Sequence, residues 1–336
     1  MTIRRALIAA GLAALLSAVV GGLTLRHTLS PARATDTEKV LFSVARGETL
    51  RTIAGNLEAR GLIRDARSIV WLARLRGMAS ELRAGEYLIS AALGPGEILE
   101  RIAAGQVETY EIVLPEGLTA RQIGLRLEEA KLADARDFEA VVRNPASPKK
   151  LGLEGESLEG YLFPETYRLP RGLPAQEVAR ILVGEFLEAW GEIAPAAAER
   201  EMSMHAVVTL ASIVEKETGA AEERPLIASV FLNRLKKGMR LETDPTVIYG
   251  IPAFDGNLRR RDLENHDNPY NTYRIRGLPP GPIANPGASA LRAVVSPAES
   301  DYLYFVSRND GTHKFSRTYR EHITAVNTYQ RRRRSH

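Results

Sequence analysis

Two glutamates stand one residue apart at the end of the apolar run "LASIVEKETG", residues 210–219. A carboxyl group set against an apolar helical surface loses water and holds its proton more tightly. A glutamate brought to a pKa of about 6–7 in this way can donate that proton near neutral pH. Helical spacing separates the two acids, because residues three, four and seven apart share a face while residues two apart lie roughly 200° around the axis. Glu215 shares its face with Val208, Ala211 and Ser212, a small apolar surface with room for an approaching group. Glu217 points elsewhere. The spacing makes Glu215 the candidate general acid and gives Glu217 a supporting or orienting role. An acid near a helix C-terminus is more commonly solvated, and the helix dipole there opposes its charged form. The face alone therefore makes Glu215 a candidate and no more.

Other chemistries have little support. His205, His266, His313 and His322 form no H-E-x-x-H pair, and there is no G-x-S-x-G elbow or P-loop. There are no cysteines, which excludes disulfides, thiolate zinc sites and cysteine nucleophiles. Neither a metal nor a cofactor is expected. The stretch "GLPPGPIANPG" carries too many prolines to offer a row of backbone N–H groups to phosphate, and reads as a rigid binding loop. Tyr249, Tyr270 and Tyr273, interleaved with Asn233, Asp244 and Asn271, suit a sugar cleft, with aromatic faces for pyranose rings and polar groups for hydroxyls. Taken singly, most of these read more readily as core aromatics or turn residues.

The elements that must position these groups follow from periodicity. Val40, Phe42 and Val44 alternate as in a half-buried strand, Gly47 marks a turn, and Thr49 caps a helix with apolar positions Leu50, Ile53, Ala54 and Leu57. The pattern returns seventy residues later, pairing Gly47 with Gly117, Thr49 with Thr119, Ile53 with Ile123, Leu57 with Leu127 and Glu58 with Glu128. Between the copies, "LRAGEYLIS" reads as a strand and "GPGEILERIAAG" as a short helix. From Leu151 the stretch "SLEGYLFPETYRLP" is extended around Pro164 and Pro170. Three helices then follow: "PAQEVARILVGEFLEAWGEI", "SMHAVVTLASIVEKETG" stopped by Gly219, and "ERPLIASVFLNRLKKG" with Pro225 in its first turn and Gly238 at its end. A turn-rich segment precedes a final strand "DYLYFVSR" and a hairpin to "HKFSRTY".

The fold class is α+β. The expected order is a cytoplasmic stub and membrane helix (1–27), a linker (28–38), a small α+β subdomain (39–108), a second strand–helix unit (109–150), an α+β catalytic domain (151–325) and a basic tail (326–336). Residues 6–25 contain no charge, follow Arg4 and Arg5, and are long enough to cross a bilayer core, which takes about 20 apolar residues. A cleaved signal peptide is the competing reading, but its apolar core is ordinarily shorter, about 7–15 residues. An uncleaved anchor with a cytoplasmic N-terminus is the preferred reading, although Arg26 and His27 weaken the charge asymmetry. The net charge of +4 gives no nucleic-acid signature, and Arg331–Arg334 read as a solvated tail or a contact with anionic lipid or polymer.

Two resemblances add to this. The strand–G-E-T-L-x-x-I-A stretch resembles the LysM module, which binds N-acetylglucosamine-containing glycans; a generic strand–helix unit is the alternative. The segments "EGYLFPETY" (159–167), "ASIVEKET" (211–218), "VFLNRLKKGMRLETDPTVIYG" (230–250), "YNTYRIRGLPPGPIANPG" (270–287) and "YLYFVSRNDGTHKFSRTYREH" (302–322) closely resemble the YceG-like family of membrane-anchored endolytic murein transglycosylases. That resemblance implies a bacterial envelope enzyme in the cytoplasmic membrane, its catalytic domain outside the cytoplasm. It would cut nascent peptidoglycan between N-acetylmuramic acid and N-acetylglucosamine to leave 1,6-anhydro ends. It implies peptidoglycan synthases as partners, and Glu215, taken as the first glutamate of "SIVEKET", as the single catalytic acid and base. Glu217 and Asp244 are candidate supporting groups, and Asn233, Thr243, Tyr249, Asn271, Tyr273 and Asn285 candidate strand contacts. A muramidase cutting the same bond with water, and a non-catalytic glycan-binding scaffold, are the alternatives.

Overall fold

A computed structural model describes residues 2–331; Arg332–Arg334 of the terminal basic run lie outside the described residues. The chain divides into two compact units. One comprises residues up to Tyr110 with Arg168–Gly172, the other Glu111–Tyr167 with the chain from Leu173 onward.

The first unit begins with helix α1 (Thr2–Thr28), whose stretch Ala10–Thr28 is long and apolar enough to cross a membrane and is not buried in the protein. Strand β1 (Val40–Val44) pairs antiparallel with β2 (Gly85–Ile89), Val40 opposite Ile89 and Val44 opposite Gly85. Helices α2 (Leu50–Ala59) and α3 (Ala66–Leu75) lie between these strands in sequence, and α4 (Pro95–Ala104) follows. Phe42, Ile53, Leu57, Ile69, Tyr87, Ile89, Ile98 and Leu99 form the core. The alternation in β1 holds at its C-terminal end, where Phe42 and Val44 are buried and Ser43 is exposed.

The remaining elements are β3 (Tyr110–Val113), α5 (Ala120–Glu129), α6 (Ala135–Val142), α7 (Ala146–Lys150), β4 (Thr166–Leu169), α8 (Ala175–Glu199), α9 (Met204–Glu217), α10 (Arg224–Lys236), α11 (Asp244–Tyr249), α12 (Arg260–Glu264), α13 (Ala288–Val295), β5 (Tyr304–Ser307), β6 (His313–Ser316) and α14 (Tyr319–Val326). The repeat is present and extends further than the sequence pairing. Gly47 and Gly117 adopt the same left-handed backbone, with φ of 75° and 76°. Thr49 and Thr119 each accept a backbone N–H, from Thr52 and Gln122, at the helix start. Gly61 and Lys131 then turn with φ of 66° and 58°, and Asp65 and Asp134 cap a second helix in each copy. Of residues 109–150, read from the sequence as a unit of their own, those from Glu111 on fold into the second unit, where α6 packs on α8.

Helix α9 is the centre of the second unit. Every residue from Val207 to Val214 is buried, and α8, α10, α11 and α13 pack around it. A helix apolar on all sides must be enclosed. The segment 244–290 is not only turns, since it carries α11, α12 and the start of α13. The chain after 326 is not a plain tail either, since Asn327–Arg331 continue α14 as a wider helical turn.

Candidate active site

The small face of α9 is occupied by the protein itself. Val208, Ala211 and Ser212 are fully buried, and Ser212 Oγ accepts the Ile283 N–H at 3.0 Å. Gly160 stands at φ +90°, so close that an added Cβ would lie 2.4 Å from Pro282 Cγ and 2.8 Å from Val208 Cγ1. The proline-rich loop thus fills the space that looked open to a substrate. Its residues 281–287 are buried, which makes it a packing element and not an exposed binding loop.

Glu215 lies under this loop with a side chain 5% exposed. Its Oε1 accepts from Arg224 Nη2 at 2.7 Å and its Oε2 from the Gly287 N–H at 3.1 Å. The same guanidinium reaches Glu116 at 3.1 Å and Ser289 at 3.0 Å. Burial raises the Glu215 carboxyl above its ordinary range, and the Gly287 N–H and Arg224 oppose that shift. A guanidinium on one oxygen and a backbone N–H on the other hold this carboxylate in place. It is not among the residues lining the cavity described next.

Glu217 ends α9 and faces a cavity of about 720 Å³ that also takes in Thr243, Asp244, Tyr273, Tyr304, His313 and His322. Thr218 leaves the helix in an extended conformation, so α9 stops at the acid. Burial pushes the Glu217 carboxyl up to about 7 and Asp244 adds to the rise; the Thr243 hydroxyl, which donates to Oε1, offsets it, as do His313 and Arg234. The last turn of a helix also disfavours negative charge. Asp244 in turn accepts the Tyr273 hydroxyl at 2.7 Å. Here is an acid able to carry a proton near neutrality, beside space for a ligand.

The other sequence candidates separate cleanly. Thr243, Asp244 and Tyr273 line the cavity with Glu217. Asn233 does not line it; its amide donates to the Ser300 and Tyr302 carbonyls and pins the approach to β5. Asn271 is fully buried and donates to the carbonyls of Asp262, Leu263 and Asn265. Tyr249 stacks edge-on against Tyr270 and donates to Glu159 at 3.2 Å. Asn285 accepts the Gly160 and Leu162 N–H groups and donates to the Leu118 carbonyl and to Glu159. These four are ties that hold loops in place.

Sequence reasoning passed over Glu159, Arg224, Glu223 and His313. Glu159 is buried and raised to about 7 by burial, against hydrogen bonds from the Ala120 N–H, Tyr249 and Asn285. His313 was weighed only for zinc spacing. A histidine opening a strand next to a turn gives no periodic signal. Among the described residues no group of three or more His, Cys, Asp or Glu side chains could hold a metal ion.

The family model for the YceG-like family matches residues 42–328. The chain belongs to the YceG-like family. The endolytic murein transglycosylase of Bacillus subtilis is 31% identical over 334 residues, covering 93% of this chain and 91% of the relative. The endolytic murein transglycosylase of Streptococcus pneumoniae D39 is 28% identical over 83% of this chain, which spans 56% of that relative's length. A crystal structure of a yceG-like protein from Listeria monocytogenes superposes with a TM-score of 0.60 at 33% identity, covering 85% of this chain and 99% of that one.

Proposed function

We propose that this chain is an endolytic peptidoglycan transglycosylase, a lyase, that cuts between N-acetylmuramic acid and N-acetylglucosamine within a glycan strand, with Glu217 as its acid. The observation that carries the assignment is the cavity at the end of α9, which holds a carboxyl raised to about 7. Protonated Glu217 donates to the glycosidic oxygen as the C1–O bond breaks. The muramic 6-hydroxyl closes on C1 and leaves a 1,6-anhydro end. Thr243, Asp244 and Tyr273 orient the acid and the sugar. A one-carboxylate route requires the ionised Glu217 to take the hydroxyl proton back.

Asp244 favours a second reading. It lies close enough to Glu217 to raise it, and two carboxylates flanking one bond are the usual equipment of a hydrolase. Weighing the products from un-crosslinked glycan strands decides between them. Anhydro ends support the lyase, and ordinary reducing ends make the protein a muramidase. For the residue assignment, Glu217→Gln is expected to lose turnover by about 10²–10⁴-fold, while Glu215→Gln, if folded, keeps it within about tenfold. Wild-type turnover in Glu217→Gln would sink the assignment.

The anchor reading rests on α1, with Arg4 and Arg5 setting a cytoplasmic N-terminus and the catalytic unit outside the membrane. The β1–α2–α3–β2 unit, with its G-E-T-L turn, is the proposed glycan-holding module. Peptidoglycan synthases are the proposed partners, on family resemblance.

A further inference from the structure

The cavity wall carries a histidine that is backed by a carboxylate. His313 opens β6 and lines the cavity that Glu217 faces. Its Nδ1 lies 2.6 Å from Glu223 Oε2, and its backbone N–H donates to Glu223 Oε1 at 2.9 Å. The two side chains are 11% and 12% exposed. An ionised carboxylate can only accept, so the hydrogen of this bond sits on Nδ1, and whenever the ring is neutral Nε2 is its free acceptor. The ring is also clamped edge-on by Phe305, at 5.4 Å between centroids and 90° between planes. Glu223 is fixed in its turn by the short helical turn Ala221–Glu223, which leads straight into α10. A base oriented by a carboxylate through its other nitrogen is the arrangement that hydrolytic triads use.

The other polar groups lining the cavity are committed or less well oriented. Asp244 receives the Tyr273 hydroxyl, and Glu242 pairs with Arg234 at 3.2 Å. His322 stacks on Tyr304, and its Nδ1 is buried without a hydrogen-bond partner.

We propose that His313, positioned by Glu223, takes the proton from the muramic 6-hydroxyl, so that acid and base are separate groups on opposite sides of one turnover. This rests on the reading of Glu217 as the acid. The step balances. Glu217 gives its proton to the departing oxygen as the C1–O4 bond breaks, O6 bonds to C1, and the O6 proton passes to His313 Nε2. Return of one proton from His313 to solvent and of one from solvent to Glu217 restores the enzyme, with no net proton released.

The test compares wild type, His313→Gln, Glu223→Gln and Glu217→Gln on un-crosslinked glycan strands, scoring anhydro against reducing ends by mass. Without a base for O6, the activated C1 waits and water captures it. His313→Gln is expected to turn over about 10²-fold more slowly, and the share of reducing ends rises. Glu223→Gln preserves size and shape but presents only one acceptor to two N–H donors. Its amide turned toward Nδ1 moves the ring hydrogen to Nε2, so it should shift the product ratio in the same direction. That shift is a readout that loss of a merely structural tie would not produce. An unchanged anhydro share in either folded variant, whatever its rate, overturns the proposal. If His313→Gln does not fold, Glu223→Gln decides alone. The underlying reading fails differently, through reducing ends from wild type or turnover in Glu217→Gln.

Discussion

At the scale of single residues, the contrast between Glu215 and Glu217 makes two stability predictions. Glu217 holds its proton more tightly folded than unfolded, so its contribution to stability is intact below pH ~4.5 and is lost as pH rises through about 7. At 1.36 kcal/mol per unit the loss is about 3 kcal/mol. Glu217→Gln should therefore melt higher than wild type at pH 8 and at the same temperature near pH 4.5. The proposed acid thus costs stability above neutrality, and a pH series of melting curves checks it. Turnover itself should fall as pH rises above about 7, because the proton donor is then ionised. Glu215→Ala should behave in the opposite way, unfolding more readily by roughly 1.5–3 kcal/mol, because it removes one of the two carboxylates that hold the buried Arg224 guanidinium and leaves the Gly287 N–H without its acceptor. Chemical denaturation at pH 7 measures it. Helical spacing correctly put the two acids on different faces. It could not say which face the chain would cover, because the covering loop comes from residues about seventy positions further on.

At the scale of elements, the longest helices and both hairpin strands were legible, and so was the repeat. The left-handed glycines and capping threonines are local chemistry that a sequence displays directly. What stayed hidden was long-range. Helix α13, which packs on α9, lies just beyond a proline-rich run and looked like more turn. Asn271 and Asn285 have the composition of a sugar cleft, yet their amides are spent on loop carbonyls and N–H groups. The sharpest element-level consequence is at Gly160, where the left-handed backbone and Pro282 leave no room for a side chain. Gly160→Ala is expected to cost more than about 3 kcal/mol, lowering both the melting temperature and the yield of folded protein. A melting temperature equal to wild type would show that the loop can move aside.

At the scale of the whole molecule, the apolar helix α1 and the unit that holds the cavity make separate demands. Helix α1 buries none of its apolar span in the protein. A chain beginning at Leu29 should therefore be soluble without detergent and melt as the full chain does in detergent, which calorimetry on both checks. The mild net charge and the lack of cysteine told little about function, and family-wide motifs told much. The motifs brought Glu217, Thr243, Asp244 and Tyr273 to the cavity but did not mark off Asn233, Tyr249, Asn271 and Asn285, which lie outside its lining.

The cavity walls come from far apart in the sequence: Glu217 to Asp244 on one side, Tyr304 to Gln330 on the other. A ribosome adding roughly 5–20 residues per second needs on the order of ten seconds to travel between them. The nascent chain therefore has Glu217, the proposed acid, in place long before it has a complete pocket. An enzyme that cuts the wall is in this way kept harmless until the stretch that closes the cavity has been made.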